Sequence, residues 1–563
     1  MFNEFHTFVL TVESAKIPLR LCALVFVLLR QIRVFWLMNT GPQILSSVFY
    51  NLYLHPLRHI PGPFWARASS IPSWYHTARG KRHIWLWQSF QIYGKRIRVA
   101  PNLILFCDPE AHAAIYGMKS NVRRSTFYVG LTKNIREKTT LNSIDPAEHA
   151  RRRKVLNMCF TDNSVTAVSS LIGQQIDRLH EIMLDGHDST TEWSASVDFG
   201  EKIDHLAFDI MGDLSFGRSF NLKEAGDNPL RTVPHNIIQY LKFYYPMCRS
   251  PFLSSIIWLK PRGLDRLMEL VTPRPVQQFN DFIFDSVKSR VELYEKEGDN
   301  HKNKRRQDML YFLCKAQDPS TGQPAYTEDE LRAEASLLVI AGSDTTSASL
   351  ASIFWYLVRA PRCYQKLVDE LQRTFKTAED AVYGPKLMGC TYLRACIDEG
   401  MRLVPPGPCE PPREVLAGGL DILNKHYPQG TIVGTAPWCD SLNVEVYGDP
   451  TVFRPERWII DVAGVTKEMV AGIRSNFHPF LTGPGSCAGK NIALAEIFLF
   501  VSRTLLRFDL RKTPGSTVGE GKPELGWGER DRKQFQIADA YISLKQGPEV
   551  QLRKRQRSEA NSD

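Results

Sequence analysis

The sequence lacks the cysteine patterns that would point to disulfides or to structural zinc. Its 563 residues include eleven cysteines, but no two of them stand in a Cys-x-x-Cys arrangement. Their scatter through apparent core segments favours a reducing compartment over a disulfide framework. A pattern of arginines interleaved with aromatics is absent as well, so the formal charge of +10 does not indicate nucleic acid. A basic surface that faces an acidic protein or anionic lipid is the better interpretation.

Nucleotide-binding motifs are also missing. No Gly-x-Gly-x-x-Gly follows a predicted strand, which excludes a fused dinucleotide-binding reductase module. Residues 483–491 superficially resemble a phosphate loop. In that register the first glycine of the motif would fall on Pro484, and Asn491 stands where Ser or Thr should bind magnesium. The register therefore argues against a phosphate site.

The N-terminus has neither a clean span of about 20 apolar residues nor a small-residue cleavage site. An apolar run at 21–29 ends at Arg30, and an uncharged stretch at 34–54 is interrupted by Gly41 and Pro42. Together these runs predict a membrane anchor within residues 1–54. The alternative is a pair of amphipathic helices that lie on a surface.

Prolines and a glycine dominate residues 55–67, which predicts a stiff, extended hinge between the anchor and a catalytic domain over 68–563. Helical patterns prevail within that domain. Short apolar runs at 97–100 and 103–106 flank a Pro-Asn turn and predict a hairpin. The expected fold class is mainly α with small β-sheets.

A long helix is predicted from a capping-box start at 327–330 to residue 357. Its middle reads Ala-Gly-Ser-Asp-Thr-Thr at 341–346, and the glycine alone costs about 1 kcal/mol relative to alanine. Two interpretations stay open. The helix is either kinked and buried with satisfied hydroxyls, or opened locally against a ligand, with Asp344 and Thr345 handling protons.

A single cysteine, Cys487, ends a Gly/Pro-rich loop and precedes a predicted helix. Glycines at 483, 485 and 489 let the backbone pass close to a flat, bulky group. The dipole of the following helix stabilises a thiolate at this place, and a thiolate suits a soft or borderline metal such as iron. The alternative is a buried cysteine in an ordinary turn.

Glu399 and Arg402 lie three residues apart on one face of an apolar predicted helix, where a buried ion pair would have a structural role. A loop at 453–458 then reads Phe-Arg-Pro-Glu-Arg-Trp and supplies Arg457. With the segments around Asp344 and Cys487, these motifs resemble, in order, those of the cytochrome P450 family of haem-thiolate monooxygenases. The resemblance covers residues 61–553, most of the chain.

The resemblance implies a cytochrome P450 fold that is preceded by the N-terminal anchor, with haem b as the cofactor. It makes Cys487 the axial ligand of the haem iron, and Asp344 with Thr345 the pair that delivers protons. The other residues it implies are Phe480, Gly483, Gly489, His149, Arg153 and Arg413 around the haem, and Glu399, Arg402 and Arg457 in a buried structural triad.

The motifs are most similar to those of fungal microsomal members that modify lipophilic natural products such as terpenoids, polyketides or alkaloids. Such members take electrons from a separate NADPH-cytochrome P450 reductase. They lie in the endoplasmic reticulum membrane with the catalytic domain facing the cytosol. By resemblance, parts of residues 119–133, 240–256, 337–345 and 404–410 line the substrate pocket.

One position departs from the family pattern. The family has an arginine two residues before the cysteine, and that arginine reaches a haem propionate, whereas this chain has Gly485. The departure predicts weaker haem retention and a tighter hold in a Gly485→Arg variant. It also raises the alternative of a haem-binding protein without turnover. A member that rearranges or dehydrates its substrate without O₂ is a third possibility, and Asp344 and Thr345 favour the monooxygenase over both.

Overall fold

The computed structural model describes residues 42–134, 136–185, 189–270, 272–297, 308–317 and 322–556. The apolar run at 21–29, on which the predicted anchor rests, lies outside these residues. The longer helices and shorter helical turns are α1 (Phe64–Ala68), α2 (Ile71–Ala78), α3 (Arg82–Tyr93), α4 (Pro109–Tyr116), α5 (Phe127–Gly130), α6 (Pro146–Met158), α7 (Asp162–Leu184), α8 (Phe199–Phe216), α9 (Val233–Arg249), α10 (Leu253–Leu259), α11 (Leu264–Leu270), α12 (Arg274–Glu297), α13 (Met309–Lys315), α14 (Glu328–Leu357), α15 (Pro361–Thr374), α16 (Pro385–Met388), α17 (Thr391–Leu403), α18 (Pro437–Ser441), α19 (Val444–Tyr447), α20 (Lys467–Asn476) and α21 (Lys490–Arg507).

The strands are short and form small sheets. They are β1 (Arg96–Ala100), β2 (Leu103–Phe106), β3 (Val122–Arg124), β4 (Val197–Asp198), β5 (Arg413–Val415), β6 (Leu420–Ile422), β7 (Lys425–Tyr427), β8 (Ile432–Thr435), β9 (Phe508–Lys512), β10 (Ala538–Asp539), β11 (Ser543–Leu544) and β12 (Glu549–Lys554). One sheet has five strands in the order β1-β2-β8-β5-β3, and another has three in the order β4-β12-β9. The mainly α fold class with small sheets is confirmed, and so is the hairpin of β1 and β2.

The α14 helix is the central element of the fold. Thr327 accepts a hydrogen bond from the Glu330 amide, and the Glu330 carboxylate accepts one from the Thr327 amide, which confirms the predicted capping box. Along its length α14 packs against α8, α12, α17 and α21. The helix therefore begins where the sequence predicts, and these four helices pack around it.

The C-terminal half of α14 belongs to the protein core. Residues 346–357 are buried without interruption, and burial of each large apolar side chain there contributes about 1.5–3 kcal/mol. Trp355 in the last turn is fully buried and stacks on Phe535, with ring centroids 5.0 Å apart. The stretch that follows Asp344 is therefore held rigidly by close packing.

The Pro-rich segment 55–67 does not form the extended hinge that its composition predicts. Leu57 and Ile60 are buried in one cluster with residues of the five-stranded sheet. The Arg98 amide donates to the Pro61 carbonyl at 2.8 Å, and Gly62 leaves no room for a side chain beside the Arg98 backbone. The segment is a series of turns docked on the catalytic body, and α1 already begins within it.

Exposed apolar side chains mark the N-terminal end of the described chain. Among the described residues, the one helix long and apolar enough to cross a membrane is α14, and 72% of its most apolar window is buried inside the protein. That helix belongs to the core. Residues 42–54 instead expose a set of apolar side chains, namely Ile44, Leu45, Phe49, Tyr53 and Leu54.

Candidate active site

The loop before α21 brings Cys487 to an accessible position. The Cys487 amide donates to the Phe480 carbonyl at 2.8 Å, which closes the loop on itself. Gly483 has a φ of +61°, and a side chain there would collide with the Tyr116 carbonyl, so the turn requires glycine. Among the described cysteines, Cys487 is the only exposed one, and the others are buried or half-buried. The alternative of a buried cysteine in an ordinary turn is therefore wrong.

Two opposing effects act on the pKa of the Cys487 thiol. The sulfur is accessible but has protein on most sides, and this burial raises the pKa of the thiol. The amides of Gly489 and Lys490 and the charge of Arg153 act in the opposite direction and lower the pKa. These amides belong to the start of α21, where unpaired N–H groups stabilise a negative charge.

A cationic cavity of about 670 Å³ adjoins this loop. The cavity is lined by residues of α6, β3, β5 and the loop at Gly485. The basic residues that line it are Arg123, Arg124, His149, Arg153, Lys154 and Arg413, and no carboxylate of the described residues does. Such a lining fits an anionic group with an apolar body.

Three of the predicted residues, His149, Arg153 and Arg413, meet in this cavity. Burial, followed by the charges of Arg124, Arg153 and Arg413, lowers the pKa of His149 to about 3, so its imidazole is neutral. Its Nε2 is buried without a hydrogen-bond partner among the described residues. Arg153 donates to the Ser486 carbonyl at 2.5 Å and so ties α6 to the cysteine loop.

Arg413 explains why position 485 is a glycine. The Arg413 guanidinium donates to the Tyr128 hydroxyl at 3.1 Å and to the carbonyls of Pro411 and Pro412 at 3.2 and 3.3 Å. A Cβ at Gly485 would lie 2.6 Å from Arg413 Nη2. Arg413 therefore occupies the space next to Gly485. The side chain of a Gly485→Arg variant would start against the Arg413 guanidinium, so the predicted gain in haem retention depends on whether Arg413 can move aside.

Arg124 is a functional candidate that sequence reasoning missed. It lines the same cavity, donates to the Thr140 carbonyl at 2.8 Å and lies 5.5 Å from the centre of the Tyr128 ring. Burial lowers the pKa of Arg124 to about 10, which leaves it charged at neutral pH. No spacing in the sequence indicates that Arg124 lines the cavity, because β3 reaches the cavity only by pairing with β5.

These features fit a haem. The cationic lining and the unpartnered Nε2 of His149 suit the two propionates, and Cys487 offers a soft ligand for iron. Phe480 packs partly buried against the core beside the loop. Gly489 ends the loop, and a side chain there would touch only Phe160 among the described residues, at 3.9 Å.

The small and polar residues in α14 do not open the helix. Residues 341–346 are helical throughout. Thr345 is half-buried and donates to the Ala341 carbonyl at 2.7 Å, so its hydroxyl is satisfied within the helix. A Cβ at Gly342 would lie 2.5 Å from the Met211 sulfur, so Gly342 serves helix packing. The predicted local opening of the helix within 341–346 is not seen among the described residues. Ala341 is nevertheless exposed, in a helix that is otherwise largely buried.

Asp344 lies next to Thr345 but faces a different environment. Burial, and then the negative charge of Asp204, raises the pKa of Asp344 to about 8, while Lys545 opposes the rise. Its Oδ2 is buried without a partner among the described residues. Ser347, one helical turn on, donates to Asp204, and Lys545 pairs with Asp204 at 2.7 Å. A partly exposed ion pair therefore adjoins the buried acid, and the sequence motif did not show it.

The Glu399 carboxylate is the centre of the predicted triad. Arg402 binds it through two nitrogens at 2.8 Å each, and Arg457 Nε lies 3.1 Å from Oε1. The indole N–H of Trp458 donates to Oε2 at 2.9 Å. Burial alone would raise the pKa of Glu399, but the two arginines hold it below its ordinary value. The three side chains are buried together; the spacing predicts the pair of Glu399 and Arg402, and the family resemblance implies Arg457 as the third member.

Two of the segments expected to line a pocket meet in one aromatic cluster. It contains Phe127, Tyr128, Tyr245 and Cys248, with Tyr541 packed against it. Tyr541 lies outside all four predicted segments. The sequence did not indicate that Tyr541 belongs to this cluster, because the residue lies in the C-terminal part of the chain and reaches the cluster only through the pairing of β10 with β11.

Comparison with known proteins identifies the family. A family model described as cytochrome P450 matches residues 71–527. The cytochrome P450 monooxygenase AKT7 of Alternaria alternata is 32% identical over 516 residues, which cover 90% of this chain and 95% of that relative. The cytochrome P450 monooxygenase apf7 of Gibberella fujikuroi is 34% identical over 533 residues, with 90% and 95% covered. The chain belongs to the cytochrome P450 family, and it is an oxidoreductase of the monooxygenase type with haem as the cofactor of its family.

Proposed function

We propose that this protein is a haem-thiolate monooxygenase that hydroxylates, or oxidises in a related way, a lipophilic natural product such as a terpenoid, polyketide or alkaloid. The observation that carries the proposal is the cationic cavity beside an accessible cysteine loop. Its relatives AKT7, fscF and apf7 are all fungal cytochrome P450 monooxygenases. A fungal secondary-metabolite pathway is the proposed setting.

In this proposal Cys487 would hold the iron of haem b through its thiolate, and the bound haem would supply the activation of O₂. The amides of Gly489 and Lys490 lower the basicity of the thiolate, and Phe480 shields it. Gly483 and Gly489 allow the loop to approach the cofactor. His149, Arg153 and Arg413 hold the propionates, together with Arg124.

The proposed role of Asp344 and Thr345 is to move protons to the site of O₂ activation. At neutral pH Asp344 carries a proton, because burial raises its pKa to about 8. A protonated carboxyl with an unpartnered oxygen can donate to a neighbouring acceptor, whereas the Thr345 hydroxyl, on the next residue of the same helix, faces a different environment. Glu399, Arg402 and Arg457 take no part in the chemistry and support the fold behind the cysteine loop.

The proposed substrate is apolar because the cluster of Phe127, Tyr128, Tyr245 and Tyr541 places aromatic rings in two of the segments expected to line the pocket. Residues 1–54 are the proposed anchor, in an endoplasmic reticulum membrane with the catalytic domain facing the cytosol. The exposed apolar side chains at 42–54 support that assignment. Electrons are proposed to come from a separate NADPH-cytochrome P450 reductase.

The alternative is a haem-binding protein without turnover, which the missing family arginine at Gly485 suggested. Arg124 and Arg413 weaken that argument, because they supply cations around the position where the family arginine is missing.

Spectroscopy and turnover of the full-length chain test the proposal. The protein is expressed with a reductase in a host that supplies candidate scaffolds, beside a Cys487→Ser variant. We expect a thiolate-type band for the reduced CO complex, substrate-dependent NADPH use and an oxidised product, all lost in the variant. A thiolate-type band without product or NADPH use across the scaffolds would favour the alternative. A wild-type protein without that band would refute the haem-thiolate assignment.

A further inference from the structure

Residues 251–270 have an unusual distribution of exposed side chains. The segment contains α10 and α11, and neither helix has a buried residue. Several large apolar side chains of the segment point outwards, and Trp258 and Leu267 are 58% and 57% exposed. Lys260 is the one buried residue of the segment. This reverses the usual arrangement, in which apolar residues face the protein and lysine faces water.

The Lys260 ammonium attaches this segment to α5. Its Nζ donates to the Gly130 carbonyl at 3.3 Å and also to the Thr132 carbonyl. Both acceptors are backbone groups at the C-terminal end of the α5 turn, where carbonyls lack partners within a helix and favour a cation. Lys260 therefore caps α5 from a distant part of the chain.

The other end of α5 is also held. The Arg249 guanidinium lies 4.3 Å from the centre of the Phe127 ring, and Glu410 binds Arg249 at 2.6 Å. In the middle, a Cβ at Gly130 would lie 2.9 Å from Cys248 Sγ, so α5 and α9 are in close contact. Lys260 is thus the polar contact that secures the C-terminal end of α5.

A cavity of about 190 Å³ lies beside this contact. Val129 and Thr132 line it on the α5 side, and Ile257 and Lys260 line it on the side of the outer segment. Leu253 of α10 does pack against α5, since its Cδ1 would lie 2.9 Å from a Cβ at Gly130. Beside Lys260, however, there is space between the two segments, so the polar contact of Lys260 joins them there.

We propose that Lys260 is a positioning residue that holds α5 over the substrate pocket and thereby limits the size of the ligand that enters and the rate at which it leaves. The inference rests on the proposed function in one respect, since α5 supplies Phe127 and Tyr128 to the aromatic cluster assigned to the substrate. The mechanical part of the inference is that Lys260 holds α5 in place, and it depends only on the contacts described above.

The mechanical part is tested by hydrogen exchange on the full-length protein. Lys260→Met removes the ammonium and keeps an apolar chain, whereas Lys260→Arg keeps a cationic donor. Arg262→Met is the matched control, because Arg262 lies on the same segment but stacks on exposed Trp258 at 4.1 Å.

The readout is the exchange of the α5 amides, of which those of Val129, Gly130 and Thr132 donate within the turn. In Lys260→Met we expect residues 126–134 to exchange roughly tenfold faster, because hydrogen bonds from a charged donor are lost. Lys260→Arg should restore most of the protection, and Arg262→Met should leave it unchanged.

Ligand release tests the effect on the pocket. Imidazole and a bulky apolar azole are bound to the ferric protein, and their dissociation is followed by the shift of the haem absorption band. Lys260→Met should release the bulky azole roughly tenfold faster and leave imidazole nearly unaffected, since only a ligand of the larger size would extend as far as α5. Equal changes for both ligands would contradict a role in size selection.

The outcomes separate the two proposals. Unchanged exchange at 126–134 in Lys260→Met overturns the role of Lys260, whatever the haem spectrum. A wild-type protein without a thiolate-type spectrum overturns the proposed function, and hydrogen exchange still decides whether Lys260 holds α5. If Lys260→Met does not fold, Lys260→Gln replaces it with the same expected direction.

Discussion

The contact between Gly485 and Arg413 leads to a prediction about haem retention. A Gly485→Ala variant adds one methyl group, whose carbon would start 2.6 Å from Arg413 Nη2. Ordinary contact begins near 3.4 Å, so the guanidinium must retreat by about 0.8 Å (3.4 − 2.6). Gly485 has no positive φ, so its backbone accepts alanine and the effect falls on Arg413.

The size of the effect follows from what Arg413 would lose. Its guanidinium is buried and holds the Tyr128 hydroxyl and two backbone carbonyls. If the displaced guanidinium also loses one contact with a haem propionate, the loss of that hydrogen bond to a charged group costs about 1.5–3 kcal/mol, which corresponds to haem binding that is roughly 10- to 100-fold weaker. The Gly485→Arg variant should likewise gain little, because its side chain competes with Arg413 for the same space.

The assay is the rate of haem transfer from the full-length protein to an excess of a haem-free globin. Gly485→Ala, Arg413→Gln and the double variant form a thermodynamic cycle. We expect Gly485→Ala to lose haem faster in the wild-type background and to have almost no further effect beside Arg413→Gln. Retention equal to the wild type, or an effect that persists without Arg413, would refute the steric explanation.

Three further outcomes are expected. Asp344 loses its proton as the pH rises through about 8, so the share of NADPH converted to product should fall above that pH, and Asp344→Asn should remove this limb of the pH profile; an unchanged profile in the variant would exclude Asp344 as the titrating group. Glu399→Gln should destabilise the protein by about 3–5 kcal/mol in urea unfolding, because two buried arginines lose their charged partner. Glu445→Gln breaks an exposed pair with Lys95 and should cost less than about 1 kcal/mol, so similar losses for both variants would contradict the argument from burial. Removal of residues 1–54 should reduce recovery of the protein in the membrane fraction, and undiminished recovery would show that other surfaces suffice.

Local spacing made several parts of this protein predictable. The capping box at Thr327, the pairing of Glu399 with Arg402 and the hairpin of β1 and β2 each depend on residues within a few positions of one another. The position of Cys487 directly before a helix is local in the same way. Hydrogen-bond geometry within a turn settles such features, so the sequence alone is enough to expect them.

The tertiary structure decided the features that depend on distant partners. Gly485 lies where Arg413 fills the space, Gly342 packs on Met211 instead of opening the helix, and the Pro-rich segment docks on the sheet. Lys260 turns inwards to the carbonyls of α5 although its neighbours face out. A sequence shows which residue types are available, but which side chains meet across long connections depends on how the helices and sheets pack.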